Sequence, residues 1–217
     1  MVRILLSLQN EPIIMLKKPQ KYYDELHFGE FYHIYNRAIS SDLLFITEND
    51  MIFFLKRFNN YLLPLSDIYA YCLMPKHFHL MLRLKDVDEV TIETEKSISN
   101  SIFTQAFSNF FNSYSKTFNK IHRRRGRLFL YSFRRIIVKD DDYKRILISY
   151  IHRNPIHHHF RRDYESWRYS SYHSFLSKRK TRLRRKEVIE LFGSENEFIA
   201  FHKSNIRKDG IEDYFLE

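Results

Sequence analysis

Two histidines separated by one residue form the part of the sequence best suited to chemistry. His77 and His79 lie in the apolar segment Pro-Lys-His-Phe-His-Leu-Met-Leu (75–82), which has the composition of a β-strand. Because alternate side chains of a strand point to the same face, both imidazoles project together and Phe78 projects to the other face. Such a pair can bind a divalent metal ion and leave coordination positions open for a substrate. The alternative is a pair of histidines that merely occupies the polar face of a sheet.

A tyrosine and an asparagine four residues apart form a second candidate pair. Tyr150 and Asn154 lie in Ile-Ser-Tyr-Ile-His-Arg-Asn-Pro (148–155), and their spacing places them on one face of a helix. The amide oxygen of Asn154 is a hard ligand suited to Mg²⁺ or Mn²⁺ and could complete a site with two histidines. Tyr150 would then lie one turn away, placed to attack a phosphate. The alternative is a core tyrosine and an asparagine that ends a helix ahead of a proline.

The chain is basic and rich in aromatic residues. Among 217 residues, 36 Lys and Arg exceed 26 Asp and Glu, which gives a net charge of +10, and there are 15 Tyr and 20 Phe. Ten of the basic residues lie between Lys96 and Lys139, where there is no acidic residue. Basic side chains neutralise phosphates and aromatic rings stack on unpaired bases, so this composition favours a nucleic acid as partner. The alternative is a Phe-rich core inside a solvated basic surface.

The elements that must position these residues follow from the apolar pattern. Their order, strand-helix-strand-strand-helix-strand-helix, predicts an α+β fold in which an antiparallel sheet carries the His-x-His motif and helices pack against it. Pro155 is expected to end the third helix. The predicted strands are 31–36, 68–74, 77–84 and 128–138; the predicted helices are 50–63, with Thr47 or Asn49 as cap, 99–121 and 140–153, followed by short C-terminal helices at 187–192 and 195–203.

The single cysteine and the lack of long apolar runs indicate the class of protein. Cys72 alone excludes a disulfide framework and a multi-cysteine zinc site. No apolar run reaches the ~18 residues that span a bilayer, and the first residues lack the features of a signal peptide. We therefore expect a soluble, cytoplasmic protein.

Five segments, in this order, resemble those of the REP-associated tyrosine transposases, relatives of the single-tyrosine HUH transposases of bacterial insertion sequences. The resemblance covers roughly residues 28 to 175 and implies the HUH (ferredoxin-like) form of the predicted fold. The segments are Tyr-His-Ile-Tyr-Asn-Arg (32–37), Tyr-Cys-Leu-Met-Pro-Lys-His-Phe-His-Leu (71–80), Arg-Arg-Gly-Arg-Leu-Phe (124–129), Tyr-Ile-His-Arg-Asn-Pro (150–155) and Trp-Arg-Tyr-Ser-Ser-Tyr (167–172).

The resemblance implies a DNA strand transferase that acts in transposition and recombination. His77 and His79 match the HUH pair and Asn154 the third ligand of a divalent metal, Mg²⁺ or Mn²⁺; Tyr150 matches the nucleophile. Members of the family cut single-stranded DNA beside a hairpin, form a 5′-phosphotyrosine bond and free a 3′-OH. We expect arginines of the basic region to bind the DNA backbone, namely Arg123, Arg124, Arg125, Arg127, Arg134 and Arg135.

Two other functions stay open from the sequence: a catalytically idle protein that binds DNA hairpins, and a metal-dependent nuclease that uses water. We expect an N-terminal extension (1–26), a catalytic domain (27–176) and a basic linker with short helices (177–217), in a monomer or weak homodimer. The three histidines at 157–159 follow Pro155 without a ligand spacing, and we expect them in a solvated loop.

Overall fold

The computed structural model describes residues 22–86, 88 and 99–204. Most of the expected N-terminal extension, residues 1–21, and the last part of the expected C-terminal segment, residues 205–217, lie outside these ranges. Within the described ranges, no helix is both long and apolar enough to cross a membrane.

Four antiparallel strands form one sheet in the order β2-β3-β1-β4. The strands are β1 (Phe31–Arg37), β2 (Ser66–Met74), β3 (His77–Leu84) and β4 (Arg134–Val138). β2 and β3 form a hairpin, with Pro75 and Lys76 in the turn between them. β3 therefore lies inside the sheet, with β2 on one side and β1 on the other.

The helices pack against both faces of this sheet, which confirms the predicted α+β fold. On one face, the buried ring of Phe78 contacts Phe54 and Phe111, which belong to α1 and α2. On the other face, α3 lies against β2 and β3. The helices are α1 (Glu48–Tyr61), α2 (Ser99–Ile121), α3 (Asp141–His157), α4 (Tyr172–Leu176), α5 (Arg185–Phe192) and α6 (Glu195–Lys203).

The aromatic face of α2 forms much of the core. Its rings recur every three or four residues and are almost completely buried: Phe103, Phe107, Phe110, Phe111, Tyr114 and Phe118. Thr47, one of the two predicted caps, begins α1 in a reciprocal capping box with Asp50. The other carboxylate oxygen of Asp50 contacts His122 Nε2 at 2.8 Å, which joins the end of α2 to the start of α1.

The last strand is shorter than predicted, because the chain before Arg134 pairs with the end of β1 and with the residues that follow β1. Residues 128–131 instead follow the end of β1: Leu130 N–H donates to Arg37 O at 2.9 Å, and Asn36 Nδ2 donates to Tyr131 O at 3.0 Å. The segment from residue 128 to β4 therefore lies at the same end of the sheet as His77, on the side of β1 away from β3, since Arg37 is the register partner of His77.

The expectation that Pro155 ends the third helix is wrong. α3 continues through Pro155 to His157. A proline costs a helix the N–H bond to the carbonyl four residues earlier, but this loss is small in a final turn that is closed by other donors. Here His158 N–H donates to Asn154 O at 3.1 Å and Phe160 N–H donates to Pro155 O at 2.9 Å.

A buried chain of hydrogen bonds connects α3 to α6 and to β2. His202 Nδ1–H donates to Phe198 O at 2.7 Å, and because burial lowers the pKa of His202 to about 4 the ring is neutral near pH 7, so its Nε2 accepts from His152 Nδ1–H at 2.8 Å. His152 Nε2 then accepts from the Ser171 hydroxyl at 2.8 Å, and Ser171 Oγ accepts from Tyr71 N–H at 2.9 Å. This direction of donation requires both histidines to be neutral.

We predict that acid weakens the folded protein through these two histidines. Burial lowers the pKa of His202 to about 4 and that of His152 well below its usual range. The unfolded chain binds these protons below about pH 6.5, so stability is complete above that pH and falls towards pH 4. Each histidine should lower the free energy of unfolding by roughly 1.4 kcal/mol per pH unit in this window.

Urea unfolding followed by the fluorescence of Trp167, the single tryptophan, measures this slope. His202→Gln keeps an acceptor for His152 but cannot titrate. The pH slope of its unfolding free energy should therefore lack the contribution of one histidine, roughly 1.4 kcal/mol per pH unit. A wild-type stability that is constant from about pH 6.5 to pH 4.5 would contradict the prediction.

Candidate active site

The register of β1 against β3 determines which side chains surround the two histidines. His79 is opposite Tyr35 and His77 is opposite Arg37, so these four residues lie on one face of the sheet. The His77 and His79 rings are 5.3 Å apart between centroids, whereas Phe78 is buried on the other face. The predicted common orientation of the two imidazoles is confirmed.

Asn154 reaches this face from α3. Its Oδ1 lies 2.9 Å from Nε2 of His77, and its Nδ2 donates to the Tyr150 carbonyl at 3.3 Å. The second bond orients the amide so that its oxygen faces the histidine. His77 and Asn154, which are 77 positions apart in the chain, thus bring Nε2 and Oδ1 into direct contact. Asn154 is completely buried.

Tyr150 lies one helical turn before Asn154 and faces the same histidines. Its ring is 5.5 Å from the His79 ring and nearly perpendicular to it, and it is 6.4 Å from the ring of His33. On its other side Tyr150 stacks on His157 at 5.3 Å. The histidine pair, Tyr150 and Asn154, which the sequence analysis expected at a single site, therefore form one cluster.

His33 is a member of this cluster that the sequence did not single out. Its Nε2 lies 2.9 Å from Nδ1 of His79, and both rings are buried. Tyr35 stacks on both of them, at 4.7 and 5.4 Å between centroids. Burial, and then the proximity of His79, hold the pKa of His33 well below its usual range, so the His33 ring is neutral. Burial also raises the pKa of Tyr35 to about 12.

The expectation that residues 157–159 form a solvated loop is wrong for two of the three histidines. Because α3 continues past Pro155, His157 lies two turns beyond Tyr150 and His158 one turn beyond Asn154. The His158 ring lies 4.4 Å from the ring of His77, and His157 stacks on Tyr150 as described above. His159 alone is exposed.

The donor atoms present fit a divalent metal ion with mixed nitrogen and oxygen ligands. In the described part of the chain, no three His, Cys, Asp or Glu side chains are grouped for a metal. Beside His77, the Asn154 amide offers an oxygen as a third ligand. Oδ1 of Asn154, which already points at Nε2 of His77, is chemically suited to Mg²⁺ or Mn²⁺.

The six arginines expected to bind DNA fall into two groups. Arg123, Arg125 and Arg127 are exposed around Gly126, which follows the end of α2 with a positive φ of 83°. The guanidinium groups of the others contact the protein. Arg124 pairs with Asp42 and donates to Arg127 O at 2.8 Å, Arg135 Nε donates to Asp24 O at 2.6 Å, and the guanidinium of Arg134 lies over the Tyr22 and Tyr131 rings at 4.5 and 4.1 Å.

Arg37 is a second residue that sequence reasoning missed. It is half-exposed, and within the described residues its guanidinium forms no hydrogen bond or ion pair. Opposed residues of an antiparallel pair have Cβ atoms roughly 5 Å apart, so the side chain of Arg37 leaves the strand next to that of His77. The predicted strand, 31–36, placed His33 and Tyr35 on one face but ended before Arg37, which the structure includes in β1; only the pairing with β3 shows which face it is.

Comparison with known proteins identifies the fold. Neither a protein-family model nor a curated protein matches the sequence. Among solved structures, the chain is similar to a REP-associated tyrosine transposase bound to a REP hairpin. The similarity has a TM-score of 0.52 and 16% identity, and it covers 75% of this chain and 87% of that chain. The two proteins share a fold, as the sequence motifs predicted.

Proposed function

We propose that the protein is a metal-dependent transferase that cuts single-stranded DNA beside a hairpin and forms a 5′-phosphotyrosine bond through Tyr150. The observation that carries this proposal is the convergence of Asn154 Oδ1 on His77 Nε2 at 2.9 Å, with Tyr150 one turn away against His79. A metal ligand set and a nucleophile on facing elements are what a strand transfer at a phosphodiester needs. The transposase of the same fold is itself bound to a REP hairpin.

His77, His79 and Asn154 are proposed to hold Mg²⁺ or Mn²⁺. The ion, when bound, would supply the positive charge that makes the phosphorus of a scissile phosphate open to attack. The protein's own part is to keep the three ligands in place without a large change on binding. Their rigidity comes from the β3 backbone for the two histidines and from the Tyr150 carbonyl for the Asn154 amide.

Tyr150 is proposed as the nucleophile. Its phenol oxygen forms a bond to phosphorus while the bond between phosphorus and the 3′-oxygen breaks. The 3′-oxygen leaves with the electron pair and takes up a proton, which balances the proton lost by the phenol. The product is a 5′-phosphotyrosine and a free 3′-OH, and a second 3′-OH can later displace Tyr150 without ATP because one phosphoester replaces another.

The DNA backbone is proposed to lie across the basic end of the sheet. Arg123, Arg125 and Arg127 are exposed there, and Arg37 and Lys76 lie beside His77. We assign the three exposed arginines to phosphates of the hairpin, and Arg37 to the phosphate that is cut. Arg124 and Arg135, which bond to the protein itself, shape the surface that the others present.

A covalent adduct between protein and DNA is the first test of this proposal. Labelled single-stranded DNA that carries a hairpin from the flanks of the coding region is mixed with protein and Mn²⁺ and analysed on a denaturing gel. We expect a labelled band at the size of the protein, absent in Tyr150→Phe and in His77→Ala. Tyr131→Phe, which changes a tyrosine near the basic residues, is the matched control and should keep the band.

Three other outcomes would contradict the proposal in different ways. A band that survives Tyr150→Phe would assign the nucleophile to another residue. Cleavage without an adduct would indicate a water-using nuclease. Binding of every flanking hairpin without cleavage would indicate an idle DNA-binding protein.

Arg37 and Arg125 should have separable effects on this reaction. Arg37→Gln should lower the rate of adduct formation at saturating DNA by about 10- to 100-fold, because it removes a charged donor from the scissile phosphate. Arg125→Gln should keep that rate and weaken hairpin binding. The slope of log affinity against log salt concentration should become shallower by about 0.7–0.9. Single-turnover kinetics and binding titrations at several salt concentrations measure both effects. Equal effects of the two variants on rate would contradict the assignment of Arg37.

A further inference from the structure

A pair of buried imidazoles connects the candidate metal site to β1. His33 Nε2 and His79 Nδ1 are 2.9 Å apart, and the two rings are nearly parallel, at 21°. His33 is 0% exposed and His79 is 2% exposed, so each ring is most stable without a charge. A neutral imidazole carries a proton on one nitrogen only. The bond between the rings therefore has two possible directions, and each fixes a different tautomer of His79.

The two directions differ in the nitrogen that His79 offers to a ligand. If His33 Nε2–H donates, the proton of His79 lies on Nε2, and that nitrogen has no free lone pair. If His79 Nδ1–H donates to His33, Nε2 of His79 has a lone pair and can bind a cation. The partner of the second nitrogen is what sets the tautomer of a metal-binding histidine.

We propose that His33 is a positioning residue, which accepts the Nδ1–H of His79 and so directs the Nε2 lone pair of His79 towards the metal. This inference rests on the proposed metal site but assigns a role to a residue outside its ligand set. It also gives a reason for a polar ring at a position that is 0% exposed and would otherwise suit an apolar side chain.

Two substitutions at His33 separate this role from packing. His33→Phe keeps an aromatic ring against Tyr35 but has no acceptor. His33→Gln loses the ring but has an amide oxygen that can accept the Nδ1–H. If His33 acts by packing alone, Phe should be the milder change; if it sets the tautomer, Gln should be.

The experiment measures Mn²⁺ affinity by calorimetry and the ¹⁵N shifts of the His79 ring in metal-free protein, so that neither readout depends on DNA cleavage. In wild type and His33→Gln we expect the Nδ1–H tautomer and similar affinities. In His33→Phe we expect the Nε2–H tautomer and an affinity lower by about 10- to 100-fold. Phe58→Leu, which loosens the core of α1 and α2 on the opposite face of the sheet, controls for loss of stability and should bind Mn²⁺ as wild type does.

An affinity unchanged in His33→Phe would overturn the inference and leave the proposed function standing. So would an Nε2–H tautomer of His79 in the metal-free wild type, a measurement that needs no variant and holds if His33→Phe fails to fold. A wild type that binds no Mn²⁺ and forms no adduct would instead overturn the proposed function, and the role of His33 with it.

Discussion

The hydrogen-bond register between β1 and β3 is the constraint on which the candidate site depends. It places Tyr35 opposite His79 and Arg37 opposite His77, and it brings His33 within hydrogen-bond distance of His79. Because side chains alternate between faces, a shift of one residue would turn the β1 side chains into the opposite core and leave the histidines of β3 without their neighbours. The Phe-rich core on the other face opposes such a shift, since Phe78 must stay buried among the rings of α1 and α2.

The position of α3 is the second requirement, because this helix carries the proposed nucleophile and the proposed third ligand. The face of α3 opposite to Tyr150 carries His152, whose bonds to His202 and Ser171 connect the helix to α6 and to the chain beside β2. Hydrogen bonds are directional, so these two bonds restrict the rotation of α3 about its axis in addition to the packing of its apolar side chains. The helices after residue 177 thus support the helix that completes the site.

Local patterns in the sequence predicted the parts of this structure that depend on local geometry. The spacing of His77 and His79 requires only a strand, and that of Tyr150 and Asn154 only a helix. Contacts between distant segments were not predictable in this way: the neighbours of His79 on β1 follow from strand pairing. The prediction that Pro155 ends the third helix was wrong because a helix tolerates proline where its final turn is closed by other N–H donors. Likewise, the arginine composition could not show that Arg124 bonds to the protein while its neighbours are exposed.

The identity of the side chain that becomes bonded to DNA is the most direct test of the account. Trypsin should release the peptide spanning residues 146–153, in which Tyr150 is the single tyrosine. After reaction with hairpin DNA and Mn²⁺ and digestion of the bound strand by a nuclease, mass spectrometry should find this peptide heavier by a 5′-phosphonucleotide on Tyr150. An unmodified peptide from protein that has cut its DNA, or the same modification on a different tyrosine, would contradict the assignment of Tyr150 as the nucleophile.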